Sequence, residues 1–591
     1  MKHLFLFTVT PVQSFIAEAR KVQDLAAGSQ ILSDFIDQAI RYLLDRSLST
    51  ENDIIFPSIN LESKPNRFLA FIETNDPDQV GKDLESYIRE EVFLTSAREK
   101  LKEYYPNHLE HALAQLEDFL KIYWVAIPYS GDYVRDNQKV ERLLGGIKTL
   151  RAFQQFQETG RKCSINGEYN VTIFKKNEKG DEASWFKYTP YVEVYEYSED
   201  RKVSKKELAP GEGLCTLNFY KRKYLPENKA GFDATCQVAY LDAVQEIEQN
   251  ENAFEQLKKL QDYDEQYVYD DAIIKQAGDD RTKIKRLQNN LNDFRKKNEL
   301  KFAKYYAVLV FDADKMGDWL AGKKLANPQE DQLEFQKKLS QLFGDFAAFA
   351  RDFVDGNNGH SKKGQTIYAG GDDFLGLINL SYLFEVLREL NMEFERIVWK
   401  EGLKLSFEFK EEKPMTFSAG VAVAHYKTPL SFVLNEARKA EKRAKSKDAG
   451  GRNAIAFTVL KRSGEIHQSH LKWHYDEQRN FLMDDFRVIV EALNTKTSSN
   501  KFITAFSEEF GPVVTEKTFG RDNKELIKLE LSRLLKDNDL SKDQEQNSVL
   551  RLMDYFMSDR GRLQDFIYLL NIADFISREI GKLQKSAELC Q

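Results

Sequence analysis

Tyr368-Ala369-Gly370-Gly371-Asp372-Asp373-Phe374 decides the fold. Two adjacent carboxylates follow two glycines, with apolar runs on both sides, Thr366 to Ala369 and Phe374 to Ile378. The pattern predicts a β-hairpin with two acids at its tip. A second acid pair, Asp312 and Asp314, ends the earlier apolar run Tyr305 to Phe311. Strand ends that carry acids can converge on divalent cations, and the glycines leave room for a triphosphate near the backbone. A Gly-Asp hairpin alone is a common solvated turn. The acids ending the preceding strand argue for a site.

Nucleotidyl transfer uses two cations. One prepares an attacking 3′-hydroxyl, and the other holds the triphosphate and the leaving pyrophosphate. Asp312 and Asp373 are expected to share a metal, with the carbonyl of Ala313 as a further ligand and Asp372 in support. All-oxygen ligands suit Mg²⁺ or Mn²⁺. Asp312, Asp372 and Asp373 are therefore the catalytic candidates. Gly370, Gly371, Ala313 and Asp314 are candidates for contact with the nucleotide. Lys445, late in a predicted helix 430–448, is expected to reach triphosphate oxygens. A basic helix end also complements the helix dipole with no ligand at all.

Outward from this site the order is strand (305–312), helix (about 328–355), hairpin, helix (381–400), strand (415–424) and helix (430–448). That is a β-α-β-β-α-β unit, ferredoxin-like in plan. The same order occupies the front of the chain: Leu4 to Val9, a long amphipathic stretch from Gln13 to Leu48, strands at Ile54 to Phe56 and Arg67 to Ile72, a helical stretch 78–120, and a strand Ile122 to Ile127. Residues 151–240 hold turn signals, strand fragments such as Tyr191 to Tyr195, and three of the four cysteines. Residues 240–300 read as charged helix. From about 466 onward the pattern is helical, with 551–588 the clearest amphipathic segment.

At 591 residues the chain is too long for one core. Lys+Arg total 86 and Asp+Glu 94, a net charge of −8, which argues against whole-surface attraction to nucleic acid but not against local basic patches. No apolar run approaches the roughly 18 residues of a membrane helix, so no membrane is expected. The start lacks a signal-peptide pattern, and four scattered cysteines suit a reduced cytoplasm.

Phe311-Asp312-Ala313-Asp314-Lys315-Met316-Gly317-Asp318 resembles the Asp-Gly-Asp-x-Met-Gly signature of the large subunit of type III CRISPR effector complexes. The Gly-Gly-Asp-Asp motif matches, as do Phe417 to Ala422, His425 and Pro429-Leu430. Thr10 to Ile16, Ala19 to Lys21, Asp24-Leu25, Gly28-Ser29, Leu32-Ser33, Phe56-Pro57 and Pro65 to Phe68 resemble the first palm of the Cmr-type (III-B) branch. The resemblance implies an α+β chain. Two ferredoxin-like palms, of the nucleotidyl cyclase and polymerase kind, are joined by a small knuckle-like insertion and followed by a helical C-terminal domain. The expected boundaries are 1–150 for the first palm, 151–304 for the insertion and helical linker, 305–465 for the second palm and 466–591 for the helical domain.

It further implies a cytoplasmic ribonucleoprotein with other Cmr-complex subunits, a CRISPR guide RNA and a target RNA. Target binding switches on palms that turn ATP into a signalling nucleotide, usually cyclic oligoadenylate. The Gly-Gly-Asp-Asp palm holds the donor ATP, and the first palm holds the acceptor, with Gly28 and Ser29 lining its pocket. A Gly-Ser pair after a helix is otherwise a tight packing spot.

The chain departs from the pattern in three places. Many relatives begin with a histidine-aspartate nuclease domain. Here the palm starts at residue 4 and none of the eight histidines precedes an aspartate, so no single-stranded DNase activity is expected. The two Cys-x-x-Cys knuckles read Cys163 to Asn166 and Cys215 to Asn218, one cysteine each, so zinc is not expected. Ala26 and Gln30 stand where relatives carry aromatics near the acceptor pocket. Some nuclease-free relatives join AMP to S-adenosylmethionine, which stays open as an alternative product, as does a scaffold without turnover.

Two weaker patterns remain. His467, His470 and His474 would share one face of a helix and could hold metal, or simply pack beside Trp473. Residues 281–304 carry nine Lys or Arg against Asp293 and Glu299, a charge that suits an RNA backbone or a solvated helix.

Overall fold

The computed structural model describes residues 1–105, 108–150, 160–174, 208–209, 211–225, 232–248, 250–261, 265–277, 280–370, 372–447, 449–475, 480–495, 499–513, 523–537, 543–559 and 563–580. Gly371, the fragment Tyr191 to Tyr195 and Cys590 lie outside these residues.

Four strands, β1 (Lys2–Thr10), β2 (Ile54–Phe56), β3 (Arg67–Glu73) and β4 (Lys121–Pro128), form the first sheet in the order β2-β3-β1-β4. A two-stranded ribbon, β5 (Ile173–Phe174) with β6 (Gly213–Leu214), follows. The second sheet contains β7 (Tyr305–Ala313), β8 (Gly364–Gly370), β9 (Asp373–Asn379), β10 (Phe417–His425), β11 (Ala454–Leu460) and β12 (Ile466–Lys472). Its order is β12-β11-β10-β7-β9-β8. In both sheets the first four strands of the unit lie with the first strand between the third and fourth and the second at an edge. This is the arrangement that a split β-α-β plan requires.

Strand β7 is apolar from Tyr305 to Phe311 because both its faces are covered. Tyr305, Ala307, Leu309, Phe311 and Ala313 enter a core with the helices Pro328–Asp355 and Leu383–Phe394. Tyr306, Val308 and Val310 enter a second core, shared with Phe5, Phe7 and Val9 of β1 and with the helix Leu430–Lys445. Asp312 extends this second row, so it projects from the face turned toward the first palm. The palms are tied further by Tyr133 Oη donating to Gln336 Oε1 (2.6 Å), Ser58 N to Ser340 Oγ (2.7 Å) and Arg438 Nη1 to the Gln13 carbonyl (3.2 Å).

Three expectations are corrected. The stretch 13–48 is two helices, Gln13–Ala17 and Val22–Asp45, with a break between them. Helix does not begin at 466: β12 pairs antiparallel with β11 and carries the second sheet to Lys472. We therefore place the start of the helical domain after this strand. The helices Leu482–Asn494, Lys501–Phe510, Lys524–Asp537, Asp543–Asp559 and Leu563–Glu579 then pack into the core of the second palm. His467 and His470, three residues apart on a strand, point to opposite faces, so the three histidines do not form one face. His467 instead pairs with Glu465, and His470 stands 3.9 Å from Asp565.

Candidate nucleotidyl-transfer site

Asp312 and Asp373 are direct cross-strand partners on β7 and β9. Ala313 N donates to the Asp372 carbonyl at 2.8 Å. The narrow hydrogen-bonded pair is thus one step further on, and Asp312 faces Asp373 as a non-hydrogen-bonded pair, about 4.5 Å between Cα atoms. Two carboxylates so placed repel each other. Burial first, then the charge of Asp312, pushes the Asp372 carboxyl up to about 6, with Arg67 and Lys445 pulling it back. Burial and then Asp372 raise Asp373 well above the usual carboxylate range, against the hydrogen bond from Tyr368.

The missing positive charge is partly supplied by Lys445. Its ammonium pairs with Asp312 and lies 2.8 Å from Glu441. Burial would lower its pKa, but Asp312 and Glu441 outweigh that and raise it. Among the described residues no three His, Cys, Asp or Glu side chains already converge as a metal cluster. Asp312 is turned toward Lys445, an ammonium standing where a cation would stand. The carboxylates therefore fit a hard divalent ion: oxygen donors only, excess negative charge and one displaceable cation. The Ala313 amide points at the hairpin tip, and an extended residue sends its carbonyl the same way, so that oxygen also faces the tip.

Other candidates sit differently. Asp314 is buried and its carboxylate is occupied: Ser418 Oγ (2.7 Å), Thr416 Oγ1 (2.8 Å) and Asn453 N (2.9 Å) all donate to it. It latches the end of β7 to β10 and to the loop before β11, which takes up its oxygens. Lys315, at φ 57°, turns the chain out of the strand at that point. Gly370 is not open space: a Cβ there would stand 2.6 Å from Tyr368 Oη. A bulge between Thr366 and Tyr368 re-aims this tyrosine, whose hydroxyl donates to the Gly370 carbonyl (3.1 Å) and lies beside Asp373.

Gly28 and Ser29 are buried inside the helix Val22–Asp45, not after a helix. A Cβ on Gly28 would meet Lys221 Cε at 2.6 Å. Lys221 fills that space and donates to the carbonyls of Phe15 and Glu18, the latter at 2.8 Å. Burial lowers its pKa to about 8. The pair is a packing spot for a buried ammonium, and an acceptor pocket is not open there.

In the knuckle remnant Cys163 and Cys215 are buried side by side. Asn218 Nδ2 donates to both sulfurs, at 3.5 and 3.3 Å. Asn166 does not join them: it donates to Glu18 Oε2 at 3.0 Å. A hydrogen bond from Cys215 lowers the Cys163 thiol to about 6, while burial raises Cys215. One thiolate, one thiol and an amide N–H leave zinc short of ligands. Elemental analysis of the purified chain is expected to return zinc well below one per molecule. A stoichiometric amount would sink this reading.

Sequence reasoning gave no role to Tyr368, Arg67 or Arg438. Tyr368 directly precedes the glycines of the motif, and that position was its signal. Arg67 and Arg438 lie far away in the chain, yet their charges act on Asp372 and Asp373.

A family model described as Cas10/Cmr2, second palm domain, matches residues 305–456. A second, CRISPR-associated protein Cmr2, N-terminal, matches residues 4–114. The CRISPR system Cmr subunit Cmr2 of Pyrococcus furiosus is 24% identical over 570 residues, covering 80% of this chain and 63% of that protein. The chain thus spans less than two thirds of that relative. Among solved structures, the type III-B Cmr-beta complex in its apo state has a similar chain: TM-score 0.66, 13% identity, 97% of this chain and 82% of that one covered. The complex bound to cognate target RNA gives a TM-score of 0.67 at 12% identity, covering 98% and 83%. At such identities the likeness shows the fold.

Proposed function

Because the chain belongs to the Cas10/Cmr2 family, we propose that it is the large subunit of an RNA-guided type III-B antiviral complex of the cytoplasm. Once target RNA is bound, its palms use ATP to make a nucleotide second messenger, a cyclic oligoadenylate. Other Cmr-type subunits, a guide RNA and the target RNA are its partners. The observation that carries the catalytic part is the direct pairing of Asp312 with Asp373 beside Asp372, three carboxylates short of positive charge.

Asp312, Asp373 and Asp372, with the Ala313 carbonyl, would hold Mg²⁺ or Mn²⁺. When bound, the ions lower the pKa of the attacking hydroxyl and neutralise the triphosphate. The chain's own residues set the rest. The cross-strand pairing places Asp373 opposite Asp312, the Tyr368 hydroxyl lies beside it, and the Asp314 latch fixes the end of β7. In the reaction a ribose hydroxyl oxygen bonds to the α-phosphorus of the donor ATP. The bond to the β-bridging oxygen breaks, pyrophosphate leaves with the electron pair, and the hydroxyl proton passes to water. The exposed residues Arg281, Lys283, Lys285, Arg286, Lys296 and Lys297 of the helix Arg281–Lys297 offer a face for RNA phosphates. Their neighbours Arg295 and Lys301 are spent on Asp270 and on the carbonyls of Arg578 and Ile580.

Mass spectrometry of the product from labelled ATP tests the reading, with target RNA added or withheld and with S-adenosylmethionine added or withheld. An RNA-dependent oligoadenylate is expected. A conjugate of AMP with S-adenosylmethionine would keep the palm chemistry and change the product. No product under any condition would leave a scaffold.

A further inference from the structure

Cys163 and Cys215 are far apart in the chain and adjacent in the fold. Ser164 N donates to the Gly213 carbonyl (2.8 Å) and Thr172 N to the Leu214 carbonyl (2.8 Å), so the turn that starts at Cys163 lies against the strand that ends just before Cys215. Cys215 is the residue that opens the helix Thr216–Tyr224. Asn218, in the first turn of that helix, directs its amide at both sulfurs, at 3.5 and 3.3 Å. The two thiols also share a hydrogen bond, and the backbone N–H of Cys215 donates to the Cys163 sulfur. The sulfurs are thus already neighbours, the placement that a disulfide requires.

The two differ in reactivity. The hydrogen bond from Cys215, with the backbone N–H groups of Cys215, Ile165 and Asn166, holds the Cys163 thiol at about 6 against its burial, so at neutral pH it is a thiolate. Burial keeps Cys215 a thiol. A thiolate beside a thiol is the arrangement of an attacking and a resolving cysteine. Cys163 is 4% exposed and Cys215 0%, so only a small oxidant enters, and it meets Cys163 first. Zinc lacks ligands at this place, but two-electron oxidation needs only the two sulfurs.

We propose that Cys163 and Cys215 are a site of reversible oxidation, a dithiol that hydrogen peroxide converts to a disulfide. The Cys163 sulfur attacks one peroxide oxygen: an S–O bond forms, the O–O bond breaks, and hydroxide leaves and takes up a proton as water. The Cys215 sulfur, giving up its proton, then bonds to the Cys163 sulfur. The S–O bond breaks and a second water leaves. The two thiols lose two electrons in all and the peroxide gains them. A dithiol reductant reverses the change by exchange. The new bond closes a long loop and ties the turn at 163–167 to the helix that carries Lys221 under Gly28 and Arg222 on Asp24. Oxidation therefore tightens the fastening of the insertion onto the first palm.

The test treats the full chain with hydrogen peroxide at neutral pH, blocks the remaining thiols with iodoacetamide and reads the peptides by mass spectrometry. A Cys163–Cys215 cross-link is expected, formed about 10-fold or more faster than Cys236 is oxidised, and lost again with dithiothreitol. Cys236, 2% exposed in a separate core, is the internal reference. Cys215→Ser is expected to stop at the Cys163 sulfenic acid, which dimedone traps. The oxidised wild type should unfold at higher urea than the reduced one. Absence of the cross-link, or a Cys163 that reacts no faster than Cys236, overturns the site. Both readings are made on the wild type, so they hold even where the serine variant fails to fold. A cross-link that leaves the urea midpoint unmoved overturns the fastening.

Discussion

Changing Asp372 and Asp373 together to asparagine is expected to lower product formation by about 10³-fold or more while making the metal-free chain harder to unfold. Asparagine keeps the shape and can still accept from Tyr368, but it brings no charge to a divalent cation. The stability gain follows from the raised acids. Burial and Asp312 lift Asp372 to about 6, above the unfolded value, so the folded chain holds a proton there that the unfolded chain has lost. The Asp372 contribution to wild-type stability therefore falls as pH rises from about 4 to about 6, and the cost of ionising that carboxyl is fully present at pH 7.5. Removing it contributes on the order of 2 kcal/mol, after allowing for solvent screening.

Activity runs the other way. It needs ionised carboxylates, so it should rise through the same pH window. Millimolar Mn²⁺ or Mg²⁺ should stabilise the wild type and leave the variant unmoved. Chemical denaturation with and without metal, at pH 5 and 7.5, measures all of this. A variant that is less stable at pH 7.5, or one that still makes product, would remove the metal-gripping role of the tip.

The second large effect is expected at Arg222→Ala, with a loss of about 3–5 kcal/mol. Arg222 joins the knuckle insertion to the first palm. Its guanidinium meets Asp24 through Nε (3.1 Å) and Nη2 (2.8 Å), and Glu212 through Nη1 (3.0 Å). All three side chains are at most 2% exposed. Burial alone would raise Asp24, but Arg222 outweighs it and holds the carboxyl below its usual range. The stability contributed by Asp24 is thus present above its unfolded pKa and lost as pH falls through the lowered one. Deleting the arginine strands two buried carboxylates.

Replacing Arg222, Asp24 and Glu212 together by apolar residues of similar volume should recover most of the loss, because no charge is then stranded. Urea unfolding followed on the first palm would show the difference. An Arg222→Ala chain with an unchanged midpoint would mean that the insertion is not fastened at this point.

Much of the fold was legible in the chain. The run Tyr305 to Phe311 is apolar at every position because β7 is covered on both faces. The glycines and acids at 370–373 mark a turn whichever way the rest packs. Short-range patterning of this kind is set by neighbours a few residues apart, and both four-strand orders followed from it. The strand Ile466–Lys472 was misread because its apolar positions follow no clean alternation, and pairing with β11 decided its state.

The site divides the same way. The acids could be named from the chain, because adjacent carboxylates ending apolar strands are visible in one dimension. Their partners could not. Lys445 on Asp312, Lys221 beneath Gly28, the Asp314 latch and the Arg67 charge on Asp372 all join positions far apart in the chain. The sequence by itself determined where carboxylates and strands occur, since local periodicity encodes them. Only the tertiary structure decided which cation answers each carboxylate, since that depends on distances between segments that no local pattern carries.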